Sequence, residues 1–85
     1  MAKVGSIDAS NEEIRAATQE LEEWRDNHEH PDDYVVLNGS GGETPNSIVK
    51  NLRERELKEN WGQGDFIENV LEVMISVLRK KQAKQ

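Results

Sequence analysis

The 85-residue chain has no cysteine, only two prolines, four aromatic side chains and no apolar run long enough to cross a bilayer. Without cysteine there is no disulfide framework and no thiolate metal site, so a fold this short is held by packing alone or by a partner. The densest apolar stretch, Phe66 to Leu78, spans 13 residues and is interrupted by Glu68, Asn69, Glu72 and Ser76. About 20 apolar residues are needed to span a membrane, so no transmembrane helix is expected. Residues Met1 to Asp8 contain Lys3 but no apolar core of a secretory leader, and a cytoplasmic setting is expected.

Catalytic constellations are lacking as well. There is no cysteine nucleophile, no serine and histidine paired in a motif, and no acid pair that spacing alone certifies. The sequence therefore predicts a protein that is not an enzyme and has neither a cofactor nor a small-molecule substrate.

What is abundant is charge, at 33% of residues against 34% hydrophobic. Residues 1–43 carry eleven acidic and three basic side chains, a net −8, while the remainder carries +2. Arg79, Lys80, Lys81 and Lys84 form a basic tail with no acid among the last seven positions. An overall charge of −6 repels nucleic acid and anionic membrane, so these four cations are the one candidate anion-binding patch.

Three helices are expected, and with them an all-α fold: a small three-helix bundle forming a single domain over 1–85. The first, over 11–27, is signalled by Ser10 and Glu13 at capping-box spacing. Ile14, Ala17, Leu21 and Trp24 recur along it at 3, 4 and 3 residues, an arc of about 80° and hence a narrow seam. Pro31 ends any helical continuation of the Asp26–Asp33 segment. Tyr34 to Leu37 is a short β-prone run with no evident partner apart from Lys3 to Ile7, and is expected to lie as an extended strap across the helices. The glycine-rich stretch 38–43 is expected to be a flexible linker, with residues 1–9 and 82–85 frayed.

Thr44 as cap and Pro45 at the first helical position open a second helix over 45–61. Its pattern is broken, because Leu57 and Trp61 fall about 120° from Ile48, Val49 and Leu52, which predicts either a bend or two neighbours along its length. Asp65 opens the third helix, over 65–81, with Arg79, Lys80 and Lys81 at the negative end of its dipole.

This third helix carries the main functional signal. With Phe66 at 0° and about 100° per residue, its apolar side chains sweep near 200°, against roughly 100° for the usual surface helix. Either it is central, or one edge is an interface. The narrow seam of the first helix and the broken one of the second offer little apolar surface to cover it, which keeps the interface reading beside the central one, with Val73 and Val77 then facing outward and Leu71, Met74 and Leu78 inward. Phe66, Val70, Val73, Val77 and Trp61 are the candidate protein-binding residues, and the partner is another protein or a second copy of the chain. Trp24 and Trp61 can each be read as core anchors or as exposed hot spots.

Two weaker patterns lie outside this helix. His28 and His30 with Asp32 and Asp33 nearby have donors suited to a metal but no fixed geometry, so no metal site is expected. The stretch Asn38 to Pro45 has the glycine content of a phosphate loop but lacks its Lys, and Glu43 opposes an anion. The function expected is that of a small acidic adaptor or regulator acting through the third helix. The alternative is an antitoxin or transcription-accessory protein that binds nucleic acid or an anionic surface through Arg79, Lys80, Lys81 and Lys84. Apolar side chains where a recognition helix needs base-reading polar ones weigh against that alternative.

Overall fold

The N-terminus is a hairpin rather than a frayed end. In the computed structural model, which describes residues 1–38 and 41–83, β1 (Ala2–Val4) pairs antiparallel with β2 (Ile7–Ala9). The register sets Ala2 opposite Ala9, Lys3 opposite Asp8 and Val4 opposite Ile7. With a side-chain period of two, this puts the four apolar residues on one face and the oppositely charged pair on the other. Val4 and Ala9 are completely buried and Ala2 and Ile7 pack against the same core, while Lys3 and Asp8 face water. Gly5 supplies the positive φ, +61°, that the first turn position of a type II′ hairpin requires.

Helix α1 (Asn11–Asp26) begins at the expected cap. The Ser10 hydroxyl accepts from the Glu13 N–H at 3.1 Å, and Glu13 Oε1 accepts from the Ser10 N–H at 3.0 Å. Ile14, Ala17, Thr18 and Leu21 are buried, and Trp24, at the end of the seam, remains 36% exposed.

The expected strap is instead one strand of a second hairpin. Val36–Asn38 (β3) pairs antiparallel with Gly41–Glu43 (β4), with Val36 opposite Glu43 and Asn38 opposite Gly41. The β-prone run thus finds its partner in the glycine-rich stretch read as a linker. Glycine is depleted in strands by propensity, but Gly41 and Gly42 complete this ladder because the hairpin supplies the pairing. Residues 39 and 40, where flexibility was also expected, lie outside the described residues, as do 84 and 85. With four strands in two hairpins beside three helices, the chain is not all-α.

Helix α2 (Pro45–Lys58) opens on a reciprocal pair, the Ser47 N–H donating to the Thr44 hydroxyl at 3.0 Å and the Thr44 N–H to Ser47 Oγ at 2.8 Å. It buries Pro45, Ile48, Val49 and Leu52. It ends at Lys58, earlier than expected, because Glu59 takes a left-handed φ of +51° and Asn60 N–H bonds back to the Arg55 carbonyl at 3.0 Å. Leu57 is consequently neither a second contact nor a bend marker but 87% exposed.

Helix α3 (Phe66–Ala83) completes the fold. Its Ile67, Leu71 and Ile75 join Val4, Ala9, Ile14, Ala17, Leu21, Ile48, Val49 and Leu52 in one buried cluster. Gln82 and Ala83, expected to fray, are helical. Arg79 bonds to Glu13 at the start of α1, and Trp24 near the end of α1 lines a groove with Phe66 at the start of α3, so the two helices run antiparallel. Among the described residues no helix is long and apolar enough to cross a membrane.

Candidate docking face on the C-terminal helix

Glu68 sets the rotation of α3. Its side chain is completely buried, an arrangement that costs heavily unless the charge is compensated. Four backbone N–H groups converge on the carboxylate: Gly5 at 2.9 Å and Gly62 at 2.8 Å on Oε1, Gln63 at 2.7 Å and Gly64 at 3.3 Å on Oε2. Arg55 Nη1 stands 4.0 Å from Oε2. Burial pushes this carboxyl's pKa up, but the four donors together outweigh it and hold the group below the ordinary carboxylate value. One turn on, Glu72 Oε1 accepts from both the Ser6 N–H and, at 2.9 Å, the Ser6 hydroxyl. The α2–α3 link and the β1–β2 turn are therefore both fastened to α3 through carboxylates.

Beside Glu68, the Arg55 guanidinium grips Asp65 with two parallel bonds of 2.7 and 2.5 Å. This pairing holds the Asp65 carboxyl below its usual pKa range. The same Asp65 oxygen caps α3 by accepting from the Glu68 N–H at 3.2 Å.

This anchoring has a geometric consequence. On the angular scale that puts Phe66 at 0°, the apolar arc of α3 is centred near 80°, but its buried residues Ile67, Leu71, Ile75 and Glu68 fall between about 100° and 200°. Burying Glu68 turns the helix by roughly 70° from the position in which its apolar arc would be most covered. The opposite edge, between about 340° and 40°, is left facing outward.

That edge is the row Phe66, Val70, Val73 and Val77. Val73 is 61% and Val77 39% exposed, while Phe66 and Val70 are half-buried. Two overlapping open apolar grooves of about 290 Å³ each lie along the Phe66–Met74 part of this face and share Leu21, Phe66, Val70 and Met74, while Val77 lines neither. Trp24, Val35 and Val36 close one side of the first, and Asn69 and Val73 line the second. Of the expected inward residues Leu71 is fully buried, whereas Met74 and Leu78 are half-buried.

Trp61 does not join this face. It packs half-buried against the core and lines a separate polar cleft of about 390 Å³ with Met1, Arg15, Glu56 and Glu59. The basic tail is likewise divided. Arg79 donates to Glu13 Oε2 at 2.6 Å and to the Asp8 carbonyl at 2.7 Å, whereas Lys80 and Lys81 are exposed and Lys84 lies outside the described residues. His28 Nδ1 accepts from the His30 N–H at 3.1 Å, and its ring meets Trp24 edge-on at 5.8 Å. Among the described residues no three His, Asp or Glu side chains come together as a metal site.

Sequence reasoning missed Glu68 as an organising group and the grooves beside Leu21. A signal for the first was present, since Glu68 falls only about 20° from Ile75 on the helical projection, inside the buried sector. In comparisons with known proteins no family model matches the chain, nor does a curated protein or a solved structure.

Proposed function

We propose that the protein is a non-enzymatic interaction module that binds another polypeptide through the outer face of α3. One observation carries this reading. In a chain with a third of its residues charged, the seven positions Phe66, Asn69, Val70, Val73, Met74, Ser76 and Val77 form an uncharged outward surface that runs into apolar grooves. Single exposed apolar residues such as Leu57 need no explanation, but a contiguous stripe rimmed by polar side chains is the usual mark of a docking surface. Trp24 at its margin is the kind of exposed aromatic that anchors such contacts. A cytoplasmic setting belongs to the same proposal.

Anion binding by the tail has less support, because Arg79 is already committed to Glu13 and Asp8. The docking reading is tested by Val77→Glu, with the fold followed by circular dichroism and association by sedimentation. A folded variant that no longer associates supports it. A variant that associates as the parent does, or a parent chain that binds neither itself nor any other protein, removes it.

A further inference from the structure

The occupant of this face is deduced from spacing and charge, and the deduction rests on the docking reading above. Phe66, Val70, Val73 and Val77 recur at 4, 3 and 4 residues, the alternation by which one helix packs along another. The charges near the two ends of α3 are unequal: acids outnumber cations toward its start, where Glu22 is paired with Arg53, whereas at its end the Arg79–Glu13 pair leaves Lys80 and Lys81 exposed. Because α1 and α3 run antiparallel, the acid-rich stretch from Glu20 to Asp33, seven acids against the single Arg25, lies toward the start of α3. The exposed Lys80 and Lys81 lie at its other end.

We propose that the partner is a second copy of this chain, with the two α3 helices crossing antiparallel about a twofold axis. The spacing then sets Phe66 against Val77 of the second copy and Val70 against its Val73. Each lysine end overlies the acidic end of the other molecule. A parallel pairing would instead set Lys80 and Lys81 against their own copies, which is repulsive. The arrangement is isologous, as twofold dimers are, and needs no residue from outside the chain.

The absence of native cysteine allows a test free of background. In the antiparallel pair Val77 and its copy are 11 residues apart along the helix, about 16 Å at 1.5 Å per residue, well beyond disulfide reach. Val77→Cys alone should therefore stay reduced under mild oxidation, while its mixture with Phe66→Cys should yield the mixed disulfide. Efficient Val77→Cys homodimers would overturn the antiparallel arrangement. Should Phe66→Cys fold poorly, the double variant Lys80→Glu, Lys81→Glu provides a second measurement: the dimer should weaken about tenfold and lose most of its salt dependence. Unchanged affinity in that variant overturns the charge pairing on which the proposal stands. A parent chain that stays monomeric at every concentration overturns the dimer, while Val73-dependent binding of a different protein would leave the docking reading intact.

Discussion

Glu68 accepts a hydrogen bond at 2.9 Å from the backbone N–H of Gly5, 63 residues earlier in the chain. The same oxygen accepts from Gly62, so one buried carboxylate joins the first hairpin, the α2–α3 link and α3. Removing it leaves several backbone donors without their acceptor. Glu68→Ala should cost about 3 kcal/mol in urea unfolding and raise amide exchange at Gly5, Gln63 and Gly64 together. A cost below about 1 kcal/mol would show that water replaces the carboxylate without penalty.

Gly5 sits where a side chain is poorly tolerated. Its φ is +61°, and an added Cβ would overlap the Glu72 carboxylate. Gly5→Ala should destabilise the chain by roughly 1–2 kcal/mol from backbone strain, read as a drop in thermal midpoint. Ser6→Ala, which keeps the turn and removes only the hydroxyl bond to Glu72, should have a smaller effect.

Asp65 serves two partners, and two substitutions separate them. Asp65→Asn keeps an oxygen to cap the Glu68 N–H but loses the ion pair with Arg55, whereas Asp65→Ala loses both. The alanine variant should be less stable than the asparagine variant by about 1 kcal/mol, the usual worth of a helix cap. Equal stabilities would mean that the cap adds nothing here.

Acid should destabilise the fold in a defined window. The Arg79 bond, followed by the Ser10 N–H, lowers the Glu13 pKa from 4.5 to about 2, and Asp65 and Glu68 are lowered as well. Each is more acidic when folded, so below its ordinary pKa the unfolded chain binds more protons. Their stabilisation is complete above the ordinary carboxylate range and fades as pH falls through the lowered values. For Glu13 that window runs from 4.5 to about 2, and carboxyl resonances followed by NMR should place its midpoint near the lower figure. A midpoint near 4.5 would mean that the Arg79 contact is not maintained in solution.

The helices were legible because their signals are local. Ser10 with Glu13, Thr44 before Pro45, and Asp65 each mark a start within four residues, and all three caps form. The strands were not, because three residues are too few to establish an alternation and the partner of Val36 is a glycine-rich segment with no β propensity. The Gly5-Ser6 pair between Ala2-Lys3-Val4 and Ile7-Asp8-Ala9 was the overlooked hairpin signal. On α3 the width of the apolar arc could be read from the sequence, and so could its outward residues Val73 and Val77. The reason for their exposure could not: it depends on Gly5, Arg55 and the 62–64 link converging on Glu68, which only the tertiary structure brings together.

The outer face of α3 is most directly tested by the solution mass of the parent chain and of Val73→Glu, measured by light scattering over a wide concentration range with circular dichroism on the same samples. Val73 is 61% exposed, so the glutamate stays hydrated in the monomer and the helical signal should be unchanged. The account predicts a parent mass that rises toward the dimer with concentration and a folded variant that remains monomeric. A variant that dimerises as the parent does, or one that unfolds because position 73 is buried, would contradict it.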